Sequence, residues 1–260
     1  MGHLSVLVLG QGFVGAPLAE FLDENPLLDL YIHMGRLNVI DEEYLGSFDI
    51  VINTAAKTSI DWCEKNKEET FDTNVVQALR IAKLTQGKHI FFSSGCIFQS
   101  ATEEDINYEN SIPNPQCFYT QTKLMAEQLI MEAKPNALVL RPRLLVSEKS
   151  HPRNTINKLL KYDKIVTTKE SVTIMEDMFR KLPSLFKESG AFNIFNEGTI
   201  SPSEMMDIFE HEHEQISKEA LDLMTNGAAR RVSTVLGSKR TDPMPDIRER
   251  LMQIKSQWKT

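Results

Sequence analysis

The chain has 260 residues, 41% of them hydrophobic, which is enough to bury one main α/β core with a smaller appendage. A formal net charge of -7 excludes a broad cationic surface for nucleic acid, although a local basic pocket can still bind one small anionic ligand. The three cysteines lack paired spacing and no apolar run approaches the ~20 residues of a spanning helix, so we expect a cytosolic protein without a membrane segment.

Short β-branched runs alternate with longer segments whose apolar residues recur at three- and four-residue spacing. This alternation is typical of a parallel sheet covered by helices on both faces. We therefore predict an α/β fold, a Rossmann-type doubly wound parallel sheet. The predicted strands are 5–9, 29–33, 50–53, 89–93, 137–140 and 192–195, and the predicted helices are 13–23, 68–85, 119–132 and 175–188.

The strand and helix rhythm weakens after Pro142, where a polar stretch at 147–154 and a Lys-rich stretch at 158–164 follow. We place the substrate-facing part of the chain there. The predicted dinucleotide-binding core is residues 1–145, to which 171–196 return, and residues 146–170 and 197–260 form a small C-terminal substrate-binding cap.

The first predicted strand runs directly into a glycine motif, G-x-G-x-x-G, at whose end a helix begins. Gly10 would allow the tight turn, Gly12 would let the backbone approach a pyrophosphate, and Gly15 would let helix and strand pack closely. The phosphates would then lie at the helix N-terminus. The motif, with Phe13 and Val14 inside it, predicts a dinucleotide site.

The end of the second predicted strand bears on the choice of cofactor. An NAD site usually has an acidic residue about 20 residues after the motif, whereas this strand runs into Met34-Gly35-Arg36. A cation in that place favours a 2′-phosphate, so we predict NADPH, with NADH left open. The alternative is that Arg36 is a solvated loop residue.

Tyr119 and Lys123 are four residues apart, which places them on one face of a helix. A nearby ammonium stabilises phenolate, so the phenol can pass a proton to the alkoxide that forms when hydride reaches a carbonyl. Ser94 follows a predicted strand at the sheet edge where ligands bind and could donate to that carbonyl. The alternative is that these small residues merely close a turn.

The run Glu210-His211-Glu212-His213-Glu214 contains two histidines, within a helix that we expect to begin at Ser201. Alternate positions on a helix turn two imidazoles apart, whereas a metal pair needs four-residue spacing. We predict no metal site and interpret the run as a charged helix end.

These residues together resemble the extended short-chain dehydrogenase/reductase family, which shares a glycine-rich turn, a Ser or Thr after a strand, and Tyr-x-x-x-Lys. Further segments resemble its dTDP-4-dehydrorhamnose reductase branch, and within it the bifunctional 3,5-epimerase/4-reductases that make UDP-rhamnose. These segments are Val51-Ile52-Asn53-Thr54-Ala55-Ala56, Asp61-Trp62-Cys63-Glu64, Asn74, Gly95-Cys96-Ile97-Phe98, Phe118-Tyr119, Thr122-Lys123, Leu140-Arg141 and Pro152-Arg153-Asn154.

The resemblance implies further roles. Cys96 and Lys158 match the two residues to which the family's epimerase activity is attributed, and a C4 ketone would acidify the C3 and C5 hydrogens that such an acid and base exchange. The alternatives are a small buried Cys96 and a solvated Lys158. The resemblance also places Ala55 and Ala56 against the cofactor and makes Arg143, Arg153, Asn154 and Arg231 candidate substrate ligands, whereas Arg141 is a candidate strand-end salt-bridge partner.

The leading hypothesis is an NADPH-dependent enzyme that converts UDP- or dTDP-4-keto-6-deoxyglucose to the nucleotide-linked L-rhamnose. Two alternatives stay open: a 4-reductase that receives an already epimerised sugar, and a non-catalytic NADP-binding regulatory subunit. The intact Ser94, Tyr119 and Lys123 set favours an enzyme. A homodimer also stays open, and the partner expected in every enzymatic case is a nucleotide-sugar.

Overall fold

Strands and helices alternate along the computed structural model, which describes residues 3–224 and 232–258. The strands are β1 (Leu4–Leu9), β2 (Leu28–His33), β3 (Ile50–Asn53), β4 (Lys88–Phe92), β5 (Ile106–Asn107), β6 (Leu138–Pro142), β7 (Leu145–Val146), β8 (Lys164–Val166), β9 (Thr173–Ile174), β10 (Gly190–Ile194), β11 (Glu214–Ile216) and β12 (Val235–Leu236). The helices are α1 (Gly15–Asp23), α2 (Glu42–Gly46), α3 (Ile60–Lys65), α4 (Lys67–Phe71), α5 (Ala78–Leu84), α6 (Phe118–Ala133), α7 (Thr155–Leu159), α8 (Met175–Lys181), α9 (Pro202–Ile208), α10 (Lys218–Met224) and α11 (Ile247–Gln257).

The six predicted strands form one sheet in the order β10-β6-β4-β3-β1-β2. The pairings of β1 with β2 and β3, of β3 with β4, and of β4 with β6 are all parallel. The order reverses at β1, because β2 lies on one side of it and the later strands lie on the other. Ligands bind outside the carboxyl ends of the strands at such a reversal. The predicted doubly wound α/β fold is confirmed.

The central strands read as nearly continuous apolar runs because helices bury both faces of the sheet. On one face Leu7, Leu9 and Val51 pack with Ile81 of α5, and on the same face Phe91 and Val139 pack with residues of α5 and α6. Val8, Ile52 and Ile90, which point to the opposite face, are fully buried too. Fully burying one such side chain stabilises the fold by about 1.5–3 kcal/mol.

Two predicted helices are interrupted. The helix predicted at 68–85 is α4 and α5 joined by a π-helical turn, Asp72–Gln77. The helix predicted at 175–188 ends as α8 at Lys181, and a 3-10 turn, Leu182–Leu185, follows. Pro183 explains the second interruption, because proline lacks the N–H that an α-helix needs.

The chain divides into two compact units. The first contains the described residues up to Ser94, together with Cys117–Arg141 and Leu182–Phe192. The second contains Gly95–Gln116, Pro142–Lys181 and the described residues from Asn193 onward. This division differs from the predicted core of 1–145 and 171–196. The reason is strand pairing, because β5 pairs with β12 and β9 pairs with β7.

The second unit has its own apolar core, to which α9 and α11 contribute Met205, Met206 and Leu251. Helix α9 begins as predicted, with Ser201 as its N-cap in a capping box with Glu204. It ends at Ile208, so the helix predicted through 210–214 is wrong. Among the described residues no helix is long and apolar enough to cross a membrane, and no group of three or more His, Cys, Asp or Glu is arranged for a metal.

Candidate functional site

The glycine turn after β1 is built as the motif predicts. Gly10 has a φ of +96°, and a Cβ there would lie 2.8 Å from the Ala55 nitrogen and 2.9 Å from the Thr54 hydroxyl. A Cβ at Gly15 would overlap the Gly10 carbonyl oxygen. Only glycine fits both positions without a backbone shift. Thr54 also fixes the turn, because its hydroxyl donates to the carbonyls of Leu9 (2.8 Å) and Gly10 (3.1 Å).

The N-terminus of α1 opens on this turn. Gly12 is exposed and the Ala16 N–H donates to its carbonyl, so the first hydrogen bond of the helical turn reaches back to the motif's second glycine. Val14 caps the helix without a side-chain hydrogen bond, and the first turn carries no acidic residue. Backbone N–H groups at such an end attract phosphate through hydrogen bonds and the helix dipole. The residues present therefore fit a dinucleotide pyrophosphate.

The remaining predicted cofactor contacts lie at the same edge of the sheet. In the parallel register Leu9 of β1 is level with His33 of β2, and Arg36 follows β2 with an exposed side chain. Ala55 and Ala56 follow β3 and are half-buried. The carboxyl ends of three neighbouring strands thus carry the glycine turn, the arginine and the alanine pair in the order that a dinucleotide site requires.

Helix α6 carries Tyr119 and Lys123 on one face, with Tyr119 half-buried and Lys123 fully buried. The Lys123 ammonium lies 4.2 Å from the centre of the Phe91 ring on β4. Burial lowers the pKa of Lys123 to about 7, and the charge of Glu127 opposes that lowering. Ser94 is buried just beyond the end of β4. The first unit therefore contains all three predicted reductase residues.

Several residues for which we predicted no role hold α6 in place. The Phe118 N–H, at the start of α6, donates to Glu64 at 2.6 Å. Asn74, in the π-helical turn, donates to Thr122 of α6 (3.1 Å) and to the Lys57 carbonyl (3.0 Å). The sequence signal for these contacts was the family resemblance, which includes Asp61-Trp62-Cys63-Glu64 and Asn74.

A buried ion pair stands behind Lys123. Arg141 of β6 donates from Nε to both carboxylate oxygens of Glu127 at 3.1 Å, and its Nη2 completes the pair. Both side chains are at least 95% buried. The alternative reading of Arg141 as a strand-end salt-bridge partner is confirmed.

Cys96 belongs to the second unit, where it is half-buried in a 3-10 turn beside Arg143. Arg143 Nη1 donates to Cys96 Sγ at 3.3 Å, Nη2 donates to the Val232 carbonyl at 2.5 Å, and the guanidinium forms an ion pair with Glu170. Burial raises the pKa of Glu170, while the charge of Arg143 opposes that rise. This differs from the predicted contact of Arg143 with substrate, because the buried guanidinium is bonded within its own unit.

Three other predicted residues, Arg153, Asn154 and Lys158, lie at α7 or just before it. Asn154 is fully buried and caps α7, accepting from the Ile156 N–H and donating to the carbonyls of Ser147 (2.8 Å) and Lys149 (3.0 Å). Its amide therefore closes the 147–154 loop, which differs from the predicted contact with substrate. Arg153 and Lys158 have exposed side chains, and Arg231 lies outside the described residues.

The sequence matches the RmlD substrate binding domain family over residues 5–184. The bifunctional dTDP-4-dehydrorhamnose 3,5-epimerase/dTDP-4-dehydrorhamnose reductase of Arabidopsis thaliana is 31% identical over 174 residues, covering 61% of this chain and 58% of that protein. A trifunctional UDP-glucose 4,6-dehydratase/UDP-4-keto-6-deoxy-D-glucose 3,5-epimerase/UDP-4-keto-L-rhamnose-reductase of the same plant is 29% identical over 226 residues. That match covers 79% of this chain but only 34% of the trifunctional protein.

Solved structures agree on the fold. The L780 UDP-rhamnose synthase of Acanthamoeba polyphaga mimivirus superposes with a TM-score of 0.87 at 22% identity, covering 99% of this chain and 100% of that one. A Bacillus anthracis dTDP-4-dehydrorhamnose reductase in complex with NADP has a TM-score of 0.83 at 19% identity, covering 99% of both chains. The family match and the relatives confirm the predicted dTDP-4-dehydrorhamnose reductase branch, and the chain belongs to the RmlD substrate binding domain family.

Proposed function

We propose that this chain is an NADPH-dependent reductase of a nucleotide-linked 4-keto-6-deoxyhexose that also epimerises the sugar at C3 and C5. The observation that carries the reductase part is the placement of Tyr119 and Lys123 on one face of α6, in the same unit as the glycine turn. The epimerase part is supported by the bifunctional Arabidopsis thaliana relative and by Cys96.

The cofactor fits the first unit. The turn from Gly10 to Gly15 and the start of α1, which has no side-chain cap hydrogen bond, would hold the pyrophosphate, and Arg36 would pair with the 2′-phosphate. Ala55, Ala56, Tyr119 and Lys123 would line the nicotinamide end. Relatives in the same fold were solved with NADP and NADPH. The cofactor supplies the hydride when bound.

Ser94, Tyr119 and Lys123 would bind and protonate the oxygen of the C4 carbonyl. Ser94 would donate a hydrogen bond that fixes this oxygen, and the Tyr119 hydroxyl would give it a proton as the C–H bond forms. The Lys123 ammonium stabilises the phenolate left behind, which makes the phenol a stronger acid.

Epimerisation needs proton exchange next to the same ketone. The C4 carbonyl acidifies the hydrogens on C3 and C5, and inversion requires a base and an acid that act on opposite faces. We assign these tasks to the Cys96 thiol and the Lys158 amine. Arg153, exposed just before α7, is the proposed ligand for the nucleotide diphosphate. We assign Asn154 to shaping the loop and Arg143 to holding Cys96.

The test is to incubate purified protein with NADPH and UDP-4-keto-6-deoxyglucose, without added epimerase, and to identify the sugar by NMR. The proposal expects NADPH oxidation and UDP-L-rhamnose. An unepimerised 6-deoxyhexose would leave a reductase alone and remove the roles of Cys96 and Lys158. Absence of NADPH oxidation, with the dTDP sugar as well, would contradict the enzyme and favour a binding subunit.

A matched pair of variants separates the two activities. Cys96→Ala should abolish epimerisation yet still reduce dTDP-4-keto-L-rhamnose supplied ready-made. Tyr119→Phe should lose reduction yet still exchange the C3 and C5 hydrogens with deuterium from solvent. Loss of both activities in both variants, with folding retained, would contradict the division of roles.

A further inference from the structure

The row of functional side chains on α6 continues for one more turn. Tyr119, Lys123 and Glu127 follow one another at four-residue spacing, so they share one helix face. Glu127 is 1% exposed and Lys123 is 2% exposed. A carboxylate and an ammonium have thus been taken out of water one turn apart, directly behind the phenol proposed to donate the proton.

Stability alone does not account for this arrangement. The Glu127 carboxylate is bonded on both oxygens by Arg141, which satisfies its charge. A buried pair of this kind can usually be replaced by apolar residues of similar volume without loss of stability. At this position in α6 the ion pair has one further effect, which is the electrostatic field that it produces at the Lys123 ammonium.

The elements packed against α6 bring little other charge to Lys123. Strand β4 presents the uncharged ring of Phe91. Helices α3 and α4 bring Glu64 and Lys67, which contact Phe118 at the first turn of α6.

The π-helical turn and α5 also bring little charge to Lys123. The π-helical turn contributes the neutral amide of Asn74. Arg80 of α5 donates to the carbonyls of Leu37 and Ile40. The Glu127 carboxylate, with Arg141 behind it, is therefore the charge that acts on the ammonium.

We infer that Glu127 and Arg141 are positioning residues that keep the Lys123 ammonium charged beside Tyr119. Glu127 holds the proton on Lys123 by its negative charge, and Arg141 holds the Glu127 carboxylate in place through its hydrogen bonds. The inference rests on the proposed reductase role of Tyr119 and Lys123. The pKa of Lys123 agrees in direction, because burial lowers it to about 7 and Glu127 is the charge that raises it.

The direct test is an NMR titration that does not use the reaction. Lysines are labelled with ¹³C at Cε, and the Lys123 signal is identified by its loss in Lys123→Met. The midpoint of its titration is then compared between wild type, Glu127→Gln and the double variant Glu127→Gln/Arg141→Met. The double variant removes both charges together, so no buried charge is left without its partner.

We expect a definite order of midpoints. Glu127→Gln should lower the midpoint by about two pH units, the effect of a unit charge roughly 6 Å away at an effective dielectric constant near 20. The double variant should lower it by about one unit, because the opposing charge of Arg141 is removed too. An unchanged midpoint in either folded variant, or an upward shift, would overturn the inference.

The second unit supplies a matched control. Asp177 and Arg250 form a comparable ion pair there, and Asp177→Asn/Arg250→Met should leave the Lys123 midpoint unchanged. In the reductase assay, the alkaline limb of kcat/KM should move to lower pH in the Glu127 variants by the same amount as the NMR midpoint. Absence of reductase activity would refute the proposed function. The NMR titration would still test by itself whether Glu127 and Arg141 set the charge of Lys123.

Discussion

Replacing Gly10 by alanine tests the geometry of the glycine turn, with Gly198→Ala as its matched control. Both glycines have positive φ, +96° and +84°, so alanine is strained at either position. The two positions differ in the space that is available to an added Cβ. A Cβ at Gly10 would lie 2.8–2.9 Å from backbone atoms of Ala55, whereas a Cβ at Gly198 would meet side-chain atoms of Asp246 and Ile247 at 3.5 and 3.6 Å.

The magnitudes follow from that difference. Left-handed backbone costs a non-glycine residue about 1–2 kcal/mol, which is the whole expected loss for Gly198→Ala. Crowding against backbone adds about 1–3 kcal/mol, so Gly10→Ala should lose about 2–5 kcal/mol in total. Because Gly10 also shapes the proposed phosphate site, its variant should bind NADPH at least about tenfold more weakly, which corresponds to about 1.4 kcal/mol.

The assay is urea unfolding followed by circular dichroism, together with calorimetric titration of NADPH. Gly198→Ala should bind NADPH as the wild type does, because Gly198 belongs to the second unit. Equal losses of stability in the two variants would refute the crowding argument. Unchanged NADPH affinity in Gly10→Ala would refute the assignment of the turn to phosphate.

Three further predictions can be checked on the same protein. Tyr119→Phe should lower kcat for reduction by about 10²–10⁴-fold and change the free energy of unfolding by less than about 0.5 kcal/mol, since the phenol is half-buried; near-normal turnover would contradict its role. Burial, helped by the charge of a nearby lysine, lowers the pKa of His89 to about 3, so the unfolded chain takes up the proton first as the pH falls below 6.5. The free energy of unfolding should therefore drop by about 2 kcal/mol by pH 5, and His89→Asn should flatten that slope in acid-unfolding curves. Iodoacetamide should modify one thiol, Cys96, because Cys63 and Cys117 are buried; a second modified site in native protein, seen by mass spectrometry, would disagree with that burial.

The features that were predictable from sequence are those that short stretches determine. Five of the six strands of the main sheet are largely apolar runs of buried residues, so each is visible without knowing its neighbours, whereas the edge strand β2 is partly exposed. The glycine motif and the Tyr119 and Lys123 pair are likewise local, since a strand, a turn and one helix face contain them.

The features that were not predictable depend on distant partners. Thr54 fixes the glycine turn through a bond that spans 44 residues of sequence, and nothing around Thr54 signals it. Segment 95–116 joins the second unit because Ile106 pairs with Val235. Arg143 has the residue type of a phosphate ligand, yet its environment contains Cys96 and Glu170, and residue type alone does not show this.

The chain alternates between the two units along its sequence, and this order affects how it folds during synthesis. One edge strand of the main sheet, β10, is made only after the whole second segment of the second unit, Pro142–Lys181, has been synthesised. Until then β6 is a bare sheet edge with unpaired N–H and C=O groups, a template for aggregation. The family match ends at residue 184, before β10, so its boundary is not a folding boundary. A chain cut there should aggregate, whereas one that continues through Ile194 closes the edge.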